Sequence, residues 1–212
     1  MKKSTKIWIV VGVVVVLLLG MGGCTYNGMV TEEETVDQTW ANVQSAYQRR
    51  LDLIPNLVST VKGYAKHEKS TLEGVTAERS GRSAAAVEKA GEELTAAANS
   101  VQGFQGPDAT APTAQQYQAL DRAYGLYINA VHEAYPQLMA NENFLDLQKQ
   151  LEGTENRINT ERNRYNEAVK VYNVKVRRFP NNIFAGIFGF GTKQPFQADA
   201  AAATAPTVDF GE

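Results

Sequence analysis

VDQTWANVQSAYQRRLDLIPNLVSTVKGYA, residues Val36–Ala65, places apolar side chains at steps of four and three: Val36, Trp40, Val43, Tyr47, Leu51, Ile54, Val58, Val61 and Ala65. Leu72 and Val75 continue the series. Steps of four and three draw one stripe along an α-helix, so the stretch predicts a long amphipathic helix with a near-heptad seam. Pro55 lies inside it. Proline lacks a backbone donor and crowds the preceding turn, which predicts a kink near Asp52–Ile54.

Toward the N-terminus, Ile7–Gly23 reads IWIVVGVVVVLLLGMGG, behind Lys2, Lys3 and Lys6. It is at the short end of the roughly 17–25 apolar residues a spanning helix needs. Trp8 and Tyr26 stand near its two ends, where amphipathic rings favour the interface. The lysines precede the span and Glu32–Glu34 follow it, so the positive-inside rule predicts a cytoplasmic N-terminus. Only Gly28 interrupts a continuous helix from the span into the seam. A second reading stays open. Ile7–Leu19 also fits the core of a signal peptide, and Met21-Gly22-Gly23-Cys24 resembles a lipobox. Cys24, the sole cysteine, is then a candidate lipidation site. Both readings tether the chain to a membrane and export the rest.

Toward the C-terminus the helical patterning continues. Ser80-Gly81 marks a weak break, and Ala84–Val101 has Val87, Ala90, Leu94, Ala97 and Val101 on one face. Gly103–Pro112, dense in Gly and Pro, reads as a loop. Thr113 and Gln116 form a capping box for a third helix reaching about Tyr135, with Tyr117, Leu120, Tyr124, Tyr127 and Val131 inward. Pro136 ends or restarts it. Asn141 caps a fourth helix from Glu142 to about Phe179, with a seam of Phe144, Leu147, Leu151, Thr154, Ile158, Tyr165, Val169, Tyr172 and Val176. Pro180 and Asn181-Asn182 are expected to terminate it. No strand pattern of any strength is present. The predicted fold class is all-α: an N-terminal transmembrane helix, then an antiparallel four-helix bundle with long first and last helices. The predicted divisions are residues 1–6 (cytoplasmic), 7–25 (anchor), 26–180 (bundle), 181–196 (Gly/Phe-rich apolar segment) and 197–212 (low-complexity tail).

Among 212 residues, 21 basic and 23 acidic side chains give a net charge of −2. No strong field draws in nucleic acid. One cysteine excludes an internal disulfide and a Cys-based zinc site. No nucleophile–base pair, Walker loop, zinc signature or calcium loop is found. His67-Glu68 and His132-Glu133 lack a third ligand, so no catalytic residue, metal or cofactor is expected.

Two constellations remain. Arg49, Arg50 and Asp52 on the first helix, with Glu155, Asn156 and Arg157 on the fourth, read as an interhelical polar network that sets register, because buried polar groups need partners. Arg162 is a second candidate to face acids of the first helix. Ile183, Phe184, Ile187, Phe188, Phe190 and Phe196 form an apolar group too large to leave exposed. They pack over the bundle end, touch the bilayer or contact a neighbouring subunit.

YQRRLDLIPNLV (Tyr47–Val58), TENRI (Thr154–Ile158), RYNEAV (Arg164–Val169) and FPNNIFAGIFGF (Phe179–Phe190) together resemble the LemA family. The resemblance extends from the anchor through the Gly/Phe segment and departs after Phe196. It implies a bacterial, membrane-anchored helical bundle with a short N-terminus and no established enzymatic activity. The expected function is a non-enzymatic scaffold or interaction module at the bacterial envelope. The expected location is the cytoplasmic membrane, single-pass, with the helical domain on the periplasmic or extracellular side. Expected partners are the lipid bilayer, further copies of the chain and envelope proteins, not nucleic acid. The alternative is lipid binding or membrane remodelling through the Gly/Phe segment.

Overall fold

The computed structural model describes residues 3–71, 77–102 and 112–196. The chain is all-α, with five α-helices and a 3₁₀ turn among the described residues: α1 (Lys3–Thr71), α2 (Ala77–Gln102), α3 (Ala114–Ala134), the 3₁₀ turn Pro136–Ala140, α4 (Glu142–Arg177) and α5 (Asn181–Phe188). The expected loop before Pro112, the continuation of the seam at Leu72 and Val75, and the tail after Phe196 lie outside the described residues.

Burial follows the apolar seams of the two long helices. On α1, Val36, Val43, Tyr47, Leu51, Ile54 and Val61 are buried. Near Pro55 the buried residue is Leu57, whereas Val58 is half-buried. On α4, Phe144, Leu147, Leu151, Thr154, Ile158, Val169, Tyr172 and Val176 are buried. Removing such a side chain from water contributes roughly 1.5–3 kcal/mol, so these stripes dominate the stability.

α1 is continuous across Pro55, which sits on its exposed side. Leu51, Ile54, Leu57 and Val61 lie buried on both sides of the proline, and that shared burial keeps the two halves in one element. α2 begins at Ala77 and passes through Ser80-Gly81, so the expected break is absent. A single glycine weakens a helix by only about 1 kcal/mol. Thr113 does form the capping box: its hydroxyl accepts from the Gln116 N–H, and the Gln116 side chain accepts from the Thr113 N–H at 2.8 Å. Asn141 caps α4 by accepting from the Phe144 N–H at 3.2 Å.

The largest departure from expectation is α5. Pro180-Asn181-Asn182 ends α4 but also opens a new helix. The Asn181 amide donates to the Lys175 carbonyl at 3.2 Å, satisfying one of the orphan acceptors at the end of α4. Gly189, at φ +80°, then closes α5, and the Phe190 N–H bonds back to the Ala185 carbonyl at 2.9 Å. A left-handed residue at that position favours glycine.

The chain forms two compact units: Met1–Val43 with Thr160–Phe196, and Gln44–Asn159. In the first, Met29 and Val36 of α1 share a core with Val169, Tyr172 and Val176 of α4 and Ala185 of α5. Tyr165, Ala168, Phe184 and Phe190 pack against it. In the second, α2 packs on α3, where Gly91 comes close to the Tyr127 ring. Tyr47 stacks on Tyr117 with centroids 4.0 Å apart.

Residues 8–17 and 19–21 of α1 are exposed, including Trp8, Val16 and Leu19. This helix is long and apolar enough to cross a membrane by length and composition.

Candidate functional site

The second unit is organised around Arg50. This guanidinium is 1% exposed, and an unpaired charge at such depth is strongly unfavourable. Nη1 donates to Asp121 Oδ1 at 2.6 Å, and Nη2 pairs with Glu155. The Tyr47 hydroxyl donates to the other Asp121 oxygen at 3.0 Å. The Arg50 cation also lies 5.1 Å from the Tyr124 ring centroid and 5.7 Å from that of Tyr47. Burial pushes the Tyr124 phenol up, against the opposing pull of Arg50. The arrangement ties α1, α3 and α4 together with one cation, two carboxylates and two aromatic faces.

Of the six residues expected in this network, the structure brings Arg50 and Glu155 together. Arg49 and Arg157 are exposed, as is Asn156. Asp52 is exposed and accepts from Gln48 Nε2 at 2.8 Å, one turn back on its own helix. Asp121, Tyr47 and Tyr124 supply the remaining contacts. Asp121 borders the third seam at Leu120, but nothing local marks it as the partner of a residue 71 positions away. Arg162 stacks on the Phe196 ring at 4.3 Å.

In the first unit, the stretch after α5 is held along α4 as an extended strap. Asn173 bonds both backbone groups of Lys193, and Asn166 bonds both of Phe196. The asparagines are two helical turns apart, about 10.5 Å, and three extended residues cover about 10 Å. The repeats match, so two amides on one helix face grip two points of the strap. Lys193 Nζ then bridges Glu33 at 3.3 Å and Asp37 at 2.6 Å, over the Tyr172 ring. Burial works against its charge, but Asp37 and Glu33 outweigh it and hold the ammonium above its usual pKa.

The six apolar residues of the Gly/Phe segment separate into two sets. Phe196 is buried beside Trp40, with centroids 6.2 Å apart. Phe184 and Phe190 turn toward the core. Phe188 meets Tyr26 edge-on at 5.1 Å yet remains 45% exposed. Ile183 and Ile187 are exposed, as is the neighbouring Phe179. Cys24 is a free, exposed thiol within α1.

The two His-Glu pairs acquire no ligand set. His132 lies 3.5 Å from Gln148 Nε2, and no cluster of three or more His, Cys, Asp or Glu among the described residues could hold a metal ion.

Two relatives share 28% identity with the chain over 192 residues, covering 84% of it and 67% of their own length: magnetosome proteins MamQ 1 and MamQ 2 of Paramagnetospirillum magneticum (strain ATCC 700264 / AMB-1). The LemA family model matches residues 39–210, the stretch that contains the Arg50 centre, the asparagine-held strap and α5. The chain belongs to the LemA family.

Proposed function

We propose that the protein is a non-catalytic, membrane-anchored helical module, acting as a scaffold or interaction module at the bacterial envelope and self-associating. The observation that carries this reading is the continuity of α1. One helix joins the exposed apolar residues from Trp8 onward to Met29 and Val36 in the core of the first unit. The first unit is thereby joined to the apolar run by helix rather than by a flexible linker.

The buried polar chemistry is consistent with holding shape. Arg50 is committed to Asp121 and Glu155, and Lys193 to Glu33 and Asp37. The order of contacts supports an antiparallel α1–α4 pair within a four-helix bundle: Gly28 meets Lys175, and Trp40 meets Tyr165. The lysines at residues 2, 3 and 6 support an N-in, single-pass orientation in the cytoplasmic membrane. Relatives named as magnetosome proteins support membrane association.

The test is the mass of the native assembly, extracted in mild detergent, by light scattering, with crosslinking in cells. A discrete oligomer or a reproducible crosslinked partner is expected. A strict monomer with no crosslinked partner overturns the proposal.

A further inference from the structure

We infer that α5 is an interfacial membrane helix: Phe179, Ile183 and Ile187 bed in the headgroup–acyl boundary, and Arg177 and Arg178 bind the phosphates of anionic phospholipids.

Depth is the first argument. Ile7–Gly23 provides about 25 Å of helix, and a hydrocarbon core of roughly 30 Å is completed about three residues later, at the level of Tyr26. The inward face of α5 lies along the last turn before that level, from Gly22 to Tyr26. The Phe184 ring packs where a Cβ on Gly22 would come within 3.2 Å, and Tyr26 meets Phe188 and Phe190 at 5.1 and 5.6 Å. α5 therefore flanks the end of the apolar run.

Exposure is the second. Phe179 is 76% exposed, Ile187 69% and Ile183 53%. α5 itself packs beside Gly22 and Tyr26, next to the exposed apolar residues that α1 carries up to Met21. An exposed apolar face beside a membrane span has the bilayer as its occupant, and a short apolar helix at the interface is a known solution.

Charge is the third. Arg177 and Arg178 are exposed and form no salt bridge among the described residues. They border an open groove of about 560 Å³ that also takes in Lys170 and has no carboxylate in its lining. Guanidinium groups match phosphate oxygens in a two-pronged geometry. Aromatic and aliphatic side chains next to paired arginines thus reproduce the order of acyl boundary and phosphate layer.

The test uses the full chain, with Cys24→Ser as background, in nanodiscs of phosphatidylcholine with or without phosphatidylglycerol. An environment-sensitive fluorophore is placed at Ile187→Cys, and as a control at Asn163→Cys, about 20 Å from Arg177 along α4. Spin-labelled acyl chains are expected to quench the Ile187 label and spare the control. Quenching of the Ile187 label by aqueous iodide, with no effect of acyl spin labels, overturns the placement. So does protection of that label by a second copy, seen as crosslinking between Ile187→Cys sites. The Arg177→Gln/Arg178→Gln variant is expected to lower the enrichment of phosphatidylglycerol around the protein by roughly fivefold per arginine. Unchanged enrichment overturns the phosphate contact. These readouts do not depend on assembly mass, so this inference and the scaffold reading fail separately.

Discussion

Asn173 holds Lys193 by both of its backbone groups: its Oδ1 accepts from the Lys193 N–H at 2.9 Å and its Nδ2 donates to the Lys193 carbonyl at 2.8 Å. Asn166 repeats the grip on Phe196, at 2.7 and 3.1 Å. An asparagine amide carries an acceptor and donors side by side, so it can replace the partner strand that an extended segment otherwise requires. Asn173→Ala is expected to destabilise the first unit by about 1–3 kcal/mol, the loss for leaving partly buried backbone groups unpaired. Hydrogen exchange should quicken at residues 190–196 while α2 and α3 keep their protection. Uniform loosening of the whole chain would contradict this.

Arg50 tests the polar centre. Arg50→Ala leaves Asp121 without its cation and is expected to cost about 3–5 kcal/mol. Arg50→Met, which keeps much of the volume, should be milder when Asp121→Asn accompanies it. Glu155 is 44% exposed, and Glu155→Gln is expected to change stability by under about 1 kcal/mol. Urea denaturation of the three variants gives the ranking directly.

Two glycines oppose each other in sign. Gly153→Ala on α4 meets nothing within 4 Å, and the gain in helix propensity should stabilise by about 1 kcal/mol. Gly91→Ala puts a Cβ 3.1 Å from the ring of Tyr127, which is buried and cannot easily move. That overlap should cancel the propensity gain and leave the variant neutral or destabilised by about 1 kcal/mol. Thermal melting of both variants decides it.

Alkaline pH should unfold the protein through its tyrosines. Burial pushes the Tyr117 phenol up to about 12 and raises that of Tyr127 as well. The unfolded chain ionises these groups near pH 10, so above that value it binds fewer protons than the folded chain. Their contribution is fully present below about pH 10 and is lost as pH rises toward 12. The raised Lys193 acts in the same direction. Tyr117→Phe should flatten the fall of the urea midpoint between these values. An unchanged slope would assign the loss to other groups.

The helices were legible because their signals are local. The Thr113–Gln116 capping box and the Asn141 cap each lie within one turn of chain, and the seam of α4 is a repeat along a single segment. Ser80-Gly81 misled for the converse reason. Its unfavourable local term is about 1 kcal/mol, and the same helix buries Val87, Leu94 and Val101. α5 has only eight residues, too few for a helix to be stable alone. It exists because Ala185 is buried in the core and Phe184 packs against Gly22. No pattern within Asn181–Phe188 announces either contact.

The amino-acid sequence by itself determined the all-α class, the apolar run from Ile7 to Gly23, the seams and the family, since all of these repeat or cluster along the chain. Tertiary structure alone decided that Arg50 meets Asp121, that Asn166 and Asn173 hold Phe196 and Lys193, and that α5 lies beside Gly22 and Tyr26. Each of these joins groups brought together by packing, where burial removes water as a competing partner and polar groups pair with one another instead.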